Sequence, residues 1–146
     1  MKLLSKIFII TGILVLAGTY SAVFAQHDSG SHHGHSKQIE IGDISHVPGL
    51  NIVAKPDSSS GWNIHVLVTN FRFAPENAGK KHVSGQGHAH LYVDGEKVAR
   101  LYGPWFHLAP LSPGKHSLAV TLNANSHEEY SFKGTPISKQ IEIVEK

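Results

Sequence analysis

Residues 87–95 have the sequence Gly87-His88-Ala89-His90-Leu91-Tyr92-Val93-Asp94-Gly95, which predicts a β-strand that runs into a two-residue turn. Successive side chains of a β-strand point to opposite faces, so His88 and His90 share one face of a predicted strand. The Asp-Gly pair that ends the stretch predicts a type I′ turn, because both central positions of that turn need a positive φ. Residues 96–102 then return as the second strand of a hairpin.

Counting outward from this turn gives the expected register of the hairpin. The expected pairs are Val93 with Glu96, Leu91 with Val98, His90 with Ala99, and His88 with Leu101. In that register, Leu91, Val93 and Val98 form the face toward the core. The two histidines are expected on the opposite face of the sheet or near its rim.

The segments around the hairpin also predict β-strands. Alternating or continuous apolar residues predict strands over 50–56, 62–73, 115–123 and 137–144, while 74–87 is a polar loop. Leu118, Val120 and Leu122 are the expected inward positions of the 115–123 strand. Turn signals at intervals of about 8–12 residues predict an all-β fold. We expect a single antiparallel immunoglobulin-like β-sandwich of about seven strands over residues 39–146.

The first 25 residues have the pattern of a cleaved secretory signal peptide. Lys2 and Lys6 precede a mostly apolar segment, 7–17, and Val23-Phe24-Ala25 offers a cleavage site after Ala25. The mature protein is therefore expected in the periplasm or outside the cell, with no membrane span after cleavage. Without a cysteine at the cleavage site, a lipid anchor is not expected.

Residues 26–38 are polar, rich in glycine and serine, and without periodicity, so we predict a disordered tail. Its four histidines, His27, His32, His33 and His35, make it a short histidine-rich tract. Such composition is typical of loose capture of metal ions. The alternative is a solubilising tail whose histidines simply titrate near their ordinary pKa of about 6.5.

Composition excludes several classes of function. The chain has a formal net charge of +2, and removing Lys2 and Lys6 with the signal leaves eleven basic and eleven acidic residues. That balance is not the footprint of a nucleic-acid-binding protein. Cysteine is absent and Met1 is the sole methionine, which excludes soft thiolate or thioether sites. Twelve histidines among 146 residues are the main functional clue.

His88 and His90 are the centre of a predicted metal site. An H-x-H pair on one strand supplies two imidazole ligands at low entropic cost, and Cu(II) and Zn(II) are the ions that such ligands suit. A third ligand is expected from a loop: His127 first, His107 second and His82 third. We expect binding to weaken below about pH 6, where ordinary imidazoles become protonated.

Other interpretations of these histidines stay open. Histidines on a solvated sheet face are common, and an immunoglobulin-like module could bind a protein or glycan through its loops. A histidine-ligated copper or zinc enzyme is a third possibility, with Glu128 or Glu129 as the acid or base beside His127. His65 and His116 lie inside predicted strands and are expected to be structural. The leading hypothesis is a periplasmic protein that sequesters or delivers the metal, with another periplasmic protein as a possible recipient.

The chain resembles a group of small exported bacterial β-sandwich proteins of unknown function. The resemblance rests on the Gly-His-x-His-Leu-x-x-Asp-Gly strand at 87–95, the Pro-Gly-x-His corner at 113–116, and the late loop residue His127. It implies a periplasmic β-sandwich with a link to metal and no assigned reaction. The H-x-H strand is also superficially similar to the copper strand of copper/zinc superoxide dismutases, but their disulfide cysteines and long zinc loop are absent.

Overall fold

The computed structural model describes residues 37–146, which form two β-sheets and two short 3₁₀ helices. The 3₁₀ helices cover Ile44–His46 and Pro75–Asn77. The strands are β1 Gln38–Glu40, β2 Gly49–Pro56, β3 Trp62–Thr69, β4 Arg72–Phe73, β5 Gln86–Val93, β6 Glu96–Leu101, β7 Trp105–Leu108, β8 Gly114–Ala124, β9 Glu129–Phe132, β10 Thr135–Pro136 and β11 Ser138–Glu145. The prediction of an all-β fold is confirmed. Eleven strands are described rather than about seven, and eight of these have four residues or more.

The larger sheet has eight strands and the smaller one has three. The order in the larger sheet is β1-β9-β8-β5-β4, with β10 on β9, β11 on β8, and β6 on β5. The smaller sheet has the order β2-β3-β7. Most neighbouring strands are antiparallel, but β1 and β9 are parallel, and so are β4 and β5. The expectation of a purely antiparallel arrangement was therefore wrong at these two pairs.

The predicted long strand over 62–73 is two strands that belong to different sheets. Asn70 has a φ of 53°, in the left-handed region that asparagine tolerates better than most residues. Its side-chain Nδ2 donates a hydrogen bond to the Val47 carbonyl at 3.1 Å. This turn ends β3 in the three-stranded sheet and directs β4 to the larger sheet. The pattern of apolar residues continues across the turn, which is why the pattern alone predicted one strand.

The hairpin turn is confirmed, and its register is confirmed only beside the turn. Asp94 and Gly95 have φ values of 51° and 88°, and Val93 pairs with Glu96 as predicted. A β-bulge between Leu91 and Tyr92 then shifts the pairing, so that Ala99 rather than Val98 lies opposite Leu91. Val98 is the extra residue of the bulge. It is 47% exposed, so its expected place in the core was wrong.

The core lies between the sheets and takes buried side chains from both. Leu118, Val120 and Leu122 are fully buried, as the alternation of β8 predicted. They belong to one hydrophobic cluster with Ile64 and Val66 of the smaller sheet. Strand β5 contributes Ala89, Leu91 and Val93 to the same cluster. Because side chains alternate along a strand, the remaining side chains of β5, which include His88 and His90, point away from this core.

His116 has the structural role expected for it. Its Nδ1 donates to Asp94 Oδ2 at 2.6 Å, and its Nε2 donates to the Ser112 carbonyl at 2.8 Å. Asp94 Oδ1 also accepts the backbone N–H of Ser117 at 2.8 Å. The hydrogen bond to Asp94 is the main reason that the pKa of His116 is raised. The imidazolium thus joins the turn of the β5–β6 hairpin to the start of β8.

The predicted signal peptide and most of the predicted tail lie outside the described residues. The expected start of the folded domain at residue 39 is close to the observed start of β1 at Gln38. The carbonyl of Lys37 accepts a hydrogen bond from Glu129 N at 2.8 Å, just before that strand. Within residues 37–146, no helix has the length and apolar character needed to cross a membrane.

Candidate functional site

The central feature of the site is a strand that is buried on both faces. Ala89 and Leu91 of β5 are fully buried in the core. His88 and His90 point to the other face of the sheet, where they are 0% and 7% exposed. The sequence correctly placed the two histidines on one face. The degree of their burial was not expected, since the face away from the core is commonly in contact with water.

Aromatic side chains from two other elements contact His88. The ring of Tyr102, which follows β6, lies 5.5 Å from the His88 ring, measured between centroids. The ring of His127 lies 5.3 Å away in an edge-to-face arrangement. His127 comes from the turn between β8 and β9, where its N–H donates to the Ala124 carbonyl at 2.9 Å. The structure thus brings together His88, His90 and His127, the three ligands that the sequence favoured first. We call these three residues the cluster.

The two strand histidines face each other through the same ring nitrogen. His88 Nε2 and His90 Nε2 are 3.1 Å apart, and the ring centroids are 4.9 Å apart. Two neutral imidazoles can share one hydrogen bond at this distance if one donates and the other accepts. Nδ1 of His88 is also buried, and it has no hydrogen-bond partner within the part of the chain that the structure describes.

Burial keeps both imidazoles neutral. Loss of hydration is the main cause that lowers the pKa of His88 to about 3, and the nearby His90 adds to the effect. The pKa of His90 is lowered to about 4. Burial is the main cause, and the positive charges of Lys97 and Arg100 lower it further. A neutral imidazole has one nitrogen with a free lone pair, which is the form that binds a metal ion.

His127 has a strained backbone. Its φ is 81°, in a region that favours glycine and that non-glycine residues rarely occupy. Holding such a conformation costs about 1–3 kcal/mol, and strained residues cluster at functional sites. A glycine at this position would remove the strain, yet the chain has an imidazole there. This observation points to a role for the side chain of His127.

The cluster opens to solvent through a surface cavity of about 320 Å³. His90 and His127 line it, whereas His88 is fully buried and does not line it. The other lining residues are Tyr92, Lys97, Arg100, Asn123 and Glu129. A small ligand that enters this cavity meets the imidazoles of His90 and His127 first.

Asn123 is a part of the site that sequence reasoning missed. It pairs with His88 in the β5–β8 register, is 1% exposed, and accepts a hydrogen bond from Thr121 Oγ1 at 2.8 Å. Its position in β8 was predicted correctly, but a polar residue near the end of a strand indicates only a coming turn. The pairing with β5 is a long-range contact, and no local signal in the sequence predicts it.

The other two candidate ligands lie elsewhere. His107 is on β7 in the three-stranded sheet, where it pairs with Asn63. His82 lies near Tyr130, with its Nδ1 3.4 Å from the phenolic oxygen. None of the ring contacts or hydrogen bonds of residues 37–146 joins either residue to the cluster. The structure thus does not bring His107 or His82 to the H-x-H pair, although His107 follows the hairpin closely in sequence.

The cluster is not arranged as a complete metal site. Among residues 37–146, no three histidine, cysteine, aspartate or glutamate side chains are placed so that they could hold an ion together. His88 and His90 are close enough to bind one ion as a pair, and the ring of His127 packs against the ring of His88. A three-coordinate site therefore requires the His127 side chain to move.

Comparison of the chain with protein-family models, curated protein sequences and solved structures gave no match.

Proposed function

We propose that this protein binds Cu(II) or Zn(II) through His88 and His90, with His127 as the third ligand. The observation that carries the proposal is the 3.1 Å separation of the two Nε2 atoms. Ligand nitrogens about 2.0–2.1 Å from one ion are separated by about 2.9 Å at a right angle and about 3.4 Å at a tetrahedral angle. The observed separation lies between these values, so one ion can bind both atoms with little movement of the strand.

The protonation state of the pair supports the same proposal. A proton and a metal ion compete for the imidazole lone pair, so a site whose ligands are already neutral does not have to lose protons. Because the pKa values of His88 and His90 are lowered to about 3 and about 4, protons compete for these two ligands only in more acidic solution. We therefore move the expected onset of their competition from about pH 6 to well below pH 5.

The surroundings of the pair support a binding role in an exported domain. The two packed sheets fit the proposed immunoglobulin-like sandwich, and the cavity gives the ion one entrance, beside His90 and His127. We propose that the protein acts in the periplasm, where it sequesters the ion or delivers it to another protein. Nitrogen ligands favour Cu(II) over Zn(II), and the supply of each ion decides which is bound.

The test is a calorimetric titration of Cu(II) and of Zn(II). The parent for all variants is the full chain in which His27, His32, His33 and His35 are replaced by serine, so that tail binding does not contribute. We expect one ion per chain with a submicromolar Kd, equivalent to more than about 8 kcal/mol of binding free energy. The variant His88→Ala/His90→Ala is expected to lose this binding.

A matched control removes two other histidines from the same parent. The variant His82→Ala/His107→Ala should bind the ion as tightly as the parent, because neither residue contacts the cluster. Retention of one-to-one binding by the His88→Ala/His90→Ala variant, or its loss in the control, would overturn the assignment of the site.

Replacement of His127 by glycine is expected to separate stability from binding. Glycine accepts the φ of 81° without strain, so the free energy of unfolding should stay equal or rise by about 1 kcal/mol. Metal affinity should fall at least about tenfold, since one of three ligands is lost. His127→Asn is the control, because asparagine tolerates this backbone region but has no imidazole. Equal metal affinity in all three proteins would contradict the role of His127 as a ligand.

One observation favours a second candidate function, an interaction module without a metal. Trp105 is 64% exposed on the outer face of the three-stranded sheet, and its ring stacks on His65 at a centroid distance of 3.9 Å. Such an exposed, ordered indole is typical of residues that anchor a partner. Absence of metal binding in the titration would favour this function, and Trp105→Ala would then be the variant to test against extracts of glycans and exported proteins.

A further inference from the structure

The rim of the metal cavity carries two positive charges. Strand β6 places Lys97 opposite Tyr92 and Arg100 opposite His90, and both basic residues line the cavity. Opposite residues in a strand pair have their side chains on the same face of the sheet. The ammonium and guanidinium groups are therefore on the same side of the sheet as the imidazoles.

These charges are not neutralised by the protein. Within residues 37–146, neither Lys97 nor Arg100 forms an ion pair. Arg100 donates one hydrogen bond, to the hydroxyl of Tyr102 at 3.1 Å, which leaves most of its donors free. Glu129 is the one acidic residue among those that line the cavity. Two basic groups and one carboxylate leave the rim with a positive charge.

A positive rim is unfavourable for a cation site on its own. Neutral imidazoles do not reduce the charge of a bound divalent ion, so the ion and the two basic side chains repel each other. The charge is balanced if an anion enters together with the metal. A divalent ion held by two or three imidazoles also keeps a coordination position open for such a ligand.

We infer that the cavity binds a small oxyanion as the metal's additional ligand, with one oxygen on the ion and others on Arg100 and Lys97. The guanidinium matches an oxyanion because its planar N–H groups can donate two parallel hydrogen bonds. The volume of about 320 Å³ has room for an anion of this size. The inference rests on the proposed metal binding, and it adds the class of ligand that completes the site.

Glu129 is the alternative source of negative charge. It pairs with Asn123 at the start of β9, and it lines the cavity. If its carboxylate were the metal's anionic ligand, an added oxyanion would compete with it or have no effect. One carboxylate does not balance two basic groups and a divalent ion, so the external anion is favoured.

The test measures metal affinity with and without sulfate as the probe anion. The parent chain of the titration above is used with whichever of Cu(II) and Zn(II) binds more tightly. Nitrate, an oxyanion that has a single charge and coordinates metal ions weakly, replaces sulfate at constant ionic strength, so that screening is the same in both buffers. Sulfate should tighten metal binding roughly tenfold, since it adds charge-assisted hydrogen bonds to two basic groups.

The decisive variant is Arg100→Gln. In nitrate, it should bind the metal equally or more tightly than the parent, because a repelling charge has been removed. In sulfate, it should lose most of the gain in affinity. A merely structural Arg100 would instead weaken binding in both buffers by the same factor. Lys55→Gln, on the three-stranded sheet, is the control for the change in net charge and should keep the full effect of sulfate.

The outcomes separate the two proposals. Metal binding that is equal in sulfate and nitrate overturns the anion site and leaves the metal site intact. An Arg100→Gln variant with the full sulfate effect also overturns it. Absence of metal binding in both buffers overturns the metal site, and the anion site with it.

Discussion

Replacing Gly87 with alanine is expected to unfold the protein or to destabilise it severely. A Cβ atom at this position would lie 1.9 Å from the carbonyl oxygen of Asn123 and 2.9 Å from its carbonyl carbon. It would also lie 3.2 Å from Cα of Ala124, so all three nearest atoms belong to the backbone of β8. No rotation of a side chain relieves this clash. Strands β5 and β8 have to separate, and we expect a loss of at least about 3 kcal/mol.

The matched control is Gly103→Ala in the turn after β6. An added Cβ at Gly103 meets no atom within 4 Å, and this glycine does not need a positive φ. Such a replacement should leave stability unchanged or raise it by about 0.4–1 kcal/mol, because it reduces the freedom of the unfolded chain. Unfolding in urea, followed by circular dichroism, measures both variants. Equal midpoints for Gly87→Ala and Gly103→Ala would show that the strands are not as close as described.

Acid is expected to destabilise the metal-free protein at unusually mild pH. The ordinary pKa of 6.5 applies to His88 and His90 in the unfolded chain, whereas burial lowers their folded values to about 3 and about 4. Between these pKa values the unfolded state binds more protons than the folded state. The contribution of the two histidines to stability is therefore fully present above pH 6.5 and is lost as the pH falls. From pH 7 to pH 4.5 the two groups together account for a loss of up to about 5 kcal/mol.

Other titrating groups affect stability mainly outside the interval from pH 6.5 to 5. The pKa of His116 is raised in the folded protein. Its contribution to the free energy of unfolding is therefore complete below pH 6.5, and it is lost as the pH rises through the folded pKa. Carboxyl groups with lowered pKa values, such as Asp57 and Asp94, stabilise the folded protein at neutral pH. This stabilisation is lost only as the pH falls below the ordinary pKa of an aspartate. The buried pair therefore dominates the change in stability between pH 6.5 and 5, and glutamates with lowered pKa values, such as Glu40 and Glu145, add to the loss near pH 4.5.

Urea unfolding at pH 7, 6, 5 and 4.5 measures this loss directly. The variant His88→Leu/His90→Leu has no titrating group on the buried face and should give a nearly flat profile over the interval. His46→Ala, which removes an exposed histidine, should keep the slope of the original protein. A steep slope in the Leu variant would assign the acid sensitivity to other residues.

The sequence predicted the local parts of this structure well. Alternation of apolar residues placed Leu118, Val120 and Leu122 in the core, and the Asp-Gly pair predicted the hairpin turn. The same alternation placed His88 and His90 on one face. These features depend on neighbouring residues within one strand or one turn, so a short stretch of sequence contains the information.

The burial of the site could not be predicted from the same signals. His88 and His90 are covered because Tyr102 and His127 approach from other elements, and those approaches depend on the pairing of β5 with both β6 and β8. His107 shows the opposite case. It is closer in sequence to the pair than His127 is, but β7 pairs with β3 and carries His107 to the other sheet. Closeness along the chain is a weak guide where strands alternate between sheets.

The bulge in the β5–β6 hairpin determines which chemistry surrounds the histidines. If Val98 paired with Leu91 in a regular ladder, Ala99 would lie opposite His90, and Arg100 would lie on the face that packs against the core. The bulge therefore turns the outer half of β6 over relative to a regular hairpin, because side chains alternate with a period of two. Deletion of Val98 would remove the bulge and leave Arg100 opposite His90. For protein engineering, the charge that an incoming ion meets thus depends on whether Val98 is bulged or paired, and not on the identity of the rim residues alone.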